Sequence, residues 1–105
     1  MIVTAWNNGQ YHNTGAGYGF KISIGDRDKY FKKYWKNVIL NLDGKNIEVN
    51  IDKPSFWGNQ CRELISKDIG MWRINHNKGT WSDRNPPKLE MEPLEENRFT
   101  VKISI

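Results

Sequence analysis

A dense run of positive and aromatic side chains occupies residues 29–36. It has four lysines and four aromatic residues in eight positions, in the order Lys29-Tyr30-Phe31-Lys32-Lys33-Tyr34-Trp35-Lys36. Ammonium groups neutralise phosphates, and an exposed ring stacks on a nucleobase. The run therefore favours nucleic-acid binding. The alternative is that Phe31 and Trp35 anchor the core while the lysines only keep the segment in water.

A second polar group follows Lys53-Pro54, where the chain turns after a hairpin. Asn59, Gln60 and Arg62 have the amide and guanidinium groups that pair with base edges in a DNA groove, and Trp57 precedes them. The same side chains suit turn caps and polar surface equally well. Both interpretations stay open from the sequence.

Two histidines offer a different chemistry. His12 and His76 could act as a general acid and base, with Asp26 or Asp28 orienting one of them. Such a pair would make the protein a small hydrolase or nuclease. Both histidines fall in polar loops, however, where an ordinary exposed imidazole is the usual case.

The remaining candidates favour structural roles. The run from Gly15 to Gly19 is glycine-rich like a phosphate loop but leads into a strand, so we expect a close approach between backbones. Glu48 and Asp52 share a strand face and are predicted to be solvated charges. Cys61 is predicted to be a small core residue on a helix. One thiol and two distant histidines form no zinc motif, so we predict no metal and no cofactor.

Alternating apolar residues identify the strands that must position these groups. Residues 38–42 and 47–51 alternate on either side of Asp43-Gly44, which predicts a hairpin with a tight turn. Further strands are predicted at residues 18–24, 88–92 and 98–105.

Helices are shorter and fewer in the pattern. Asp26 could cap a short helix over residues 26–31. The apolar spacing from Asn59 to Trp72 predicts one broken helix, or two short ones with Ser66 capping the second. Residues 7–17 and 75–87 are predicted to be long loops, whose length favours a binding role.

These elements fit one small domain over residues 1–105. The predicted fold class is mainly β with short helices (α+β), a small, partly closed β-barrel or pseudobarrel of five to seven strands. A formal net charge of +4 suits a polyanionic partner. One cysteine, no apolar run of about 18 residues and no secretory leader predict a cytoplasmic protein without a membrane partner.

The layout resembles the pseudobarrel DNA-binding domains of bacterial restriction enzymes and of plant B-three type transcription factors. The similarity rests on the glycine-rich entry to a strand at residues 15–19, the charged and aromatic turn at residues 26–31, the Asp43-Gly44 hairpin, and a helix before the last strands. It implies DNA held between two arms, without catalysis. Those domains are usually longer or fused to a nuclease, and this chain is neither.

The resemblance also implies where the contacts would lie. Arg27, Lys29, Lys32 and Lys33 would fall near the first arm, which comes from the first strand pair. Trp57, Asn59 and Arg62 would belong to the second. Together with the lysine-rich run, this gives the predicted nucleic-acid-binding residues Arg27, Lys29, Lys32, Lys33, Trp35, Lys36, Trp57, Asn59 and Arg62.

Three functions are therefore considered from the sequence. The leading hypothesis is a non-enzymatic nucleic-acid-binding domain that prefers DNA and has no catalytic residues. The second is a protein-interaction module anchored by exposed tryptophans, because interface centres favour Trp, Tyr and Arg. The third is the histidine-dependent hydrolase or nuclease.

Overall fold

The computed structural model of the protein describes residues 1–9, 13–76 and 86–103, without the side chain of Ile103. Within these ranges the chain forms seven strands and three short helices. The strands are β1 (Ile2–Asn7), β2 (Tyr18–Lys21), β3 (Asn37–Leu42), β4 (Lys45–Asn50), β5 (Glu63–Ile65), β6 (Lys88–Pro93) and β7 (Arg98–Ile103). The helices are α1 (Ile24–Tyr30), α2 (Pro54–Trp57) and α3 (Lys67–Asn75).

All seven strands belong to one sheet with the order β4-β3-β7-β6-β1-β2-β5. Neighbouring strands are antiparallel except β3 and β7, which run parallel. The edge strands β4 and β5 approach each other, so the sheet is nearly closed into a barrel. This confirms the predicted fold class.

Alternating side chains fill the inside of the barrel. In β3 and β4 the inward residues are at most 4% exposed while their neighbours face outward, as the sequence pattern predicts. Phe99 and Val101 of β7 are buried in the same way. The buried set includes Val38, Leu40, Leu42, Ile47, Val49, Phe99 and Val101.

The predicted hairpin is confirmed together with its turn. Asp43 and Gly44 connect β3 to β4 with φ angles of 56° and 87°. Two consecutive positive φ angles are characteristic of the type I′ turn, whose twist matches that of the flanking strands. The turn fixes the register in which Leu42 pairs with Lys45.

The prediction for residues 18–24 is partly wrong. β2 ends at Lys21, and Ser23 rather than Asp26 caps α1, with its hydroxyl accepting from the Asp26 amide at 3.2 Å. Ile24 consequently begins the helix and is exposed instead of facing the core. A serine three residues before an acid is a good helix start, and it ends the strand pattern early.

The helix predicted from Asn59 is also wrong. Residues 63–65 form β5, which pairs with β2, and the single helix in this region begins after Ser66. Ser66 caps α3 as expected, by accepting from the Asp68 amide at 3.1 Å. Because the first helix is missing, Cys61 is exposed and is not a core residue.

β1 has no counterpart in the sequence prediction. It pairs with both β2 and β6, and Val3 and Ala5 point into the core. The signal was a short run of β-branched residues at positions 2–4. It is too brief to distinguish a strand from an ordinary chain terminus.

Glycines allow the backbones to approach closely at one end of the barrel, as predicted for residues 15–19. A Cβ on Gly70 of α3 would lie 2.2 Å from the Gly15 carbonyl oxygen, and one on Gly19 would lie 2.2 Å from that of Leu64. Gly15 itself has a φ of 85°. Larger residues would push α3 away from Gly15 and β5 away from β2.

Strand directions place the connections at two opposite ends. The α1 end contains α1, α2, residues 31–36 and the β6–β7 turn. The α3 end contains the β3–β4 turn, α3 and the residues flanking both long loops of the sequence prediction. Among the described residues, no helix is long and apolar enough to cross a membrane.

Candidate functional site

The lysine-rich run starts in the last turn of α1 and continues as a tight turn. The Phe31 amide caps the helix by donating to the Arg27 carbonyl, and the Trp35 amide donates to the Lys32 carbonyl at 3.0 Å. The Phe31 ring stacks on Phe99 with centroids 4.9 Å apart. Trp35 contacts both rings edge-on and is half-buried. Phe31 and Trp35 are therefore core anchors.

The lysines of the same run face water. Lys29, Lys32, Lys33 and Lys36 are all exposed, and Tyr34 beside them is 79% exposed. We call Lys29, Lys32, Lys33, Tyr34 and Lys36 the basic-aromatic surface. The core anchors and the basic surface thus coexist in one segment, because Phe31 and Trp35 pack inward on either side of the exposed residues 32–34.

An open groove of about 620 Å³ lies next to this surface. Its far wall is the β6–β7 turn, which Asn97 holds against β3 by donating to the Asn37 carbonyl at 3.0 Å. The groove is lined by Lys29, Tyr30, Lys32, Tyr34, Trp35, Glu96 and Asn97.

Arg27 does not belong to this surface, which corrects the prediction that it contacts phosphate. Its side chain is 6% exposed and donates to the carbonyls of Phe56 and Gly58 at 3.0 and 2.5 Å. The guanidinium also pairs with Asp28 and lies over the Trp57 ring. Arg27 thereby connects α1 to α2, and its donors already have partners inside the protein.

The second predicted group is largely structural as well. The Trp57 indole donates to the Ile51 carbonyl at 2.9 Å, beneath the Arg27 guanidinium. Arg62 donates to the carbonyls of Ile22 and Asn59 and has a φ of 95°. Asn59 is exposed. Of this group, the side chain of Asn59 is the one placed in solvent.

The topology places the contacts implied for both arms at one end of the barrel. Arg27, Lys29, Lys32 and Lys33 lie at the α1 end, together with Trp57 of α2 and residues 58–62, which follow it. The connection between β1 and β2 lies at the α3 end.

A cleft at the α3 end brings one histidine against a carboxylate. His76 Nε2 lies 2.5 Å from Asp43 Oδ2, and the Trp72 indole donates to the same oxygen at 2.9 Å. His76 follows α3, while Asp43 belongs to the β3–β4 turn. The cleft of about 250 Å³ is lined by Leu42, Asp43, Lys45, Ile47, Asp68, Met71, Trp72, Asn75 and His76.

These contacts keep Asp43 ionised. The hydrogen bond with His76, followed by that with Trp72, lowers the pKa of the Asp43 carboxyl below its usual value. Sequence reasoning did not connect Asp43 with either residue, because the hairpin turn and α3 meet only in the folded chain. The sequence signal relevant to this site was the helix capped by Ser66, which ends near His76.

The structure does not bring Asp26 or Asp28 to His76. Asp26 and Asp28 lie on α1 at the opposite end of the barrel, and Asp28 pairs with Arg27. His12 lies outside the described residues, as do parts of both long loops. Glu48 accepts a hydrogen bond from Asn37 at 2.8 Å. Residues 1–9, 13–76 and 86–103 contain no group of three or more potential metal ligands.

The tryptophans do not form an exposed patch in the described part of the chain. Trp6, Trp35 and Trp57 are half-buried, and Trp72 is 8% exposed. Trp81 lies outside the described residues. These four side chains therefore offer no fully exposed tryptophan to which a partner protein could bind.

Comparisons with protein-family models, with curated proteins and with solved structures found no match for this chain. The resemblance to pseudobarrel DNA-binding domains thus stays a hypothesis. The chemistry of the two ends of the barrel is therefore the basis on which we infer function.

Proposed function

We propose that the protein is a non-enzymatic nucleic-acid-binding domain that prefers DNA and binds through its basic-aromatic surface. The observation that carries the proposal is the projection of four lysines and one tyrosine ring into water from a single well-anchored turn. The lysines supply positive charge that binds phosphate, and the groove beside Tyr34 has room for a nucleotide.

The local charge supports this proposal. Residues 29–36 contain no acidic residue. Within the described ranges, none of the four ammonium groups lies in ion-pair contact with a carboxylate. Lysine ammonium groups that neutralise DNA phosphates release the cations condensed on the phosphate backbone, and this release favours binding. The surface is therefore suited to a polyanion, with Glu96 as the acidic group at its groove.

A charge-reversal pair tests the location of binding. Lys32→Glu with Lys33→Glu is compared with Lys45→Glu and Lys67→Glu at the α3 end; each double variant lowers the formal charge from +4 to zero. We expect the first pair to weaken binding of a labelled DNA by about tenfold or more at low salt and the second to have much less effect. Fluorescence anisotropy at two salt concentrations measures both affinity and salt dependence.

Two results would overturn the proposal. One is the absence of oligonucleotide binding by the wild-type protein at low salt. The other is an equal loss of affinity in both double variants, since this would mean that net charge and not the basic-aromatic surface determines binding. Circular dichroism of each variant verifies that the fold is retained.

The Asp43–His76 contact favours hydrolysis as a second candidate function. A carboxylate that holds one imidazole nitrogen leaves the other able to accept a proton from water. The cleft next to it would hold the scissile group of a small ester or phosphodiester. On this hypothesis, release of nitrophenol from nitrophenyl acetate or bis(nitrophenyl) phosphate should disappear in His76→Gln. Activity that survives this substitution would exclude the histidine mechanism.

A further inference from the structure

Tyr34 is the most exposed large hydrophobic side chain in the described part of the chain. It is 79% exposed, compared with 54% for Ile2 and 53% for Leu94. The other aromatic residues of its run pack inward or along the protein surface, since Phe31 is buried and Tyr30 and Trp35 are half-buried. One ring of the four is therefore presented to solvent.

The backbone on both sides of Tyr34 is fixed. The turn is closed by the bond from the Trp35 amide to the Lys32 carbonyl, and Trp35 is wedged against Phe31 and Phe99. On the other side, the Lys36 carbonyl accepts from the amides of Ile51 and Asp52 at 3.0 and 3.2 Å. A ligand that contacts the ring would have little backbone to order, which favours affinity.

The surroundings of the ring limit the chemistry of a ligand. Lysines on both sides disfavour a cationic partner, and an inorganic polyanion would use the lysines without the ring. A nucleotide combines a phosphate with a flat π-face. Tyr30 is already engaged, because the Lys29 ammonium lies 5.2 Å from its ring centroid. Tyr34 is therefore the ring of this run left available for stacking.

We infer that Tyr34 and the adjoining groove form a subsite for an unpaired nucleobase, flanked by Lys32 and Lys33 as phosphate contacts. This inference rests on the proposed function and specifies its substrate: a strand with unpaired bases. In an intact duplex both faces of each base are covered by stacking, so the ring would find no partner there. The single strand offers its bases directly.

The experiment compares three ligands of equal length: one with unpaired bases, one without bases and one with paired bases. Labelled oligothymidylate, an abasic oligomer of the same length, and a duplex of that length are titrated with the wild type by fluorescence anisotropy. We expect the wild type to bind oligothymidylate about tenfold more tightly than the abasic oligomer, because stacking adds to the shared phosphate contacts.

Two substitutions of Tyr34 assign this difference to the ring. Tyr34→Ala should lose about tenfold in affinity for oligothymidylate and almost none for the abasic oligomer. Tyr34→Phe keeps the ring and should stay within about twofold of the wild type. Because Tyr34 is exposed, neither change removes core packing, and circular dichroism should be unaltered.

The outcomes separate this inference from the proposed function. If Lys32→Glu with Lys33→Glu weakens binding while Tyr34→Ala changes nothing, the base subsite is wrong and the proposed function stands. Equal wild-type affinity for oligothymidylate and the abasic oligomer likewise overturns the subsite. If the wild type binds none of the three ligands, the proposed function fails and the subsite fails with it.

Discussion

The two ends of the barrel are built alike and present different surfaces. Each end has a helix capped by serine and a buried arginine that donates to backbone carbonyls. At the α1 end Arg27 binds Phe56 and Gly58, and at the α3 end Arg73 binds Trp6 at 3.1 Å and Gly19 at 3.4 Å. The two ends thus share a supporting architecture. One end presents a lysine-rich surface, and the other presents a cleft with charges of both signs.

The two ends differ in whether their charged side chains have oppositely charged partners. At the α3 end Lys45 pairs with Asp68, and the His76 imidazole lies against the Asp43 carboxylate. At the α1 end Arg27 and Asp28 pair, and the following lysines extend beyond them without acidic partners among the described residues. Paired charges hold elements together, whereas unpaired like charges attract an external ion. The comparison explains why we place binding at the α1 end.

The largest expected effect comes from removing the buried arginines. Arg73 is fully buried, and Arg73→Leu would leave the carbonyls of Trp6 and Gly19 without this donor, at a cost of about 3 kcal/mol in the free energy of unfolding. Arg27 is close to the surface, so Arg27→Leu should cost about 2 kcal/mol. Urea unfolding followed by tryptophan fluorescence measures both. A larger loss for Arg27→Leu would contradict the comparison.

The helical glycines should show the next largest contrast. Ala at position 70 would collide with the Gly15 backbone, so Gly70→Ala should destabilise the fold by about 2 kcal/mol. Gly25 of α1 has open space around its Cβ position, and Gly25→Ala should stabilise by about 0.5 kcal/mol through helix propensity. The midpoints of urea unfolding show whether each substitution stabilises or destabilises the protein. Destabilisation by both would indicate that Gly25 has a contact role.

The two helix caps should be equivalent. Ser23→Ala and Ser66→Ala each remove one hydroxyl that accepts from a backbone amide, and each should cost about 1 kcal/mol. Replacing either serine with Asp keeps an acceptor and should restore stability. The same urea midpoints test this. A Ser66→Ala variant as stable as the wild type would show that the packing of α3 holds the helix in place without this cap.

The smallest effect is a dependence on pH at the α3 end. Because bonds from His76 and Trp72 lower the pKa of Asp43 in the folded protein, the ionised carboxylate stabilises the fold above the unfolded value of 3.8. This stabilisation is lost as the pH falls through the folded value.

Asp43→Asn isolates this contribution. The variant should be less stable than the wild type near neutral pH, and the difference should shrink in acid below about pH 4. Urea unfolding of both proteins across this range provides the measurement. A constant difference between them would show that the Asp43 charge is not involved.

Local patterns were sufficient for much of the fold. The Asp43-Gly44 hairpin, the alternation in β7 and the Ser66 cap are each specified within a few residues, and the structure confirms them. The fold class followed from the number of such segments. β5 and β1 were missed because each is stabilised by pairing with distant strands, which short-range periodicity does not reveal.

Some features of the candidate sites could likewise be predicted from the local sequence, and others could not. Lys29, Lys32, Lys33 and Lys36 were predicted to be exposed from their density, and they are. Arg27 was grouped with them through the resemblance to pseudobarrel DNA-binding domains, yet its side chain reaches carbonyls about 30 residues along the chain. The Asp43–His76 contact likewise joins residues 33 positions apart. The sequence alone could not predict contacts between long side chains and residues distant in the chain.

The position of β7 in the sheet has a consequence for folding. β7 is the last strand in chain order but lies between β3 and β6, where it joins the β3–β4 hairpin to the other four strands. Its pairing with β3 closes a loop of nearly 60 residues, so it must overcome a large entropic cost. While a ribosome is still making the chain, the two parts of the sheet lack this connection. Their unpaired edges would then be open to aggregation until β7 is made.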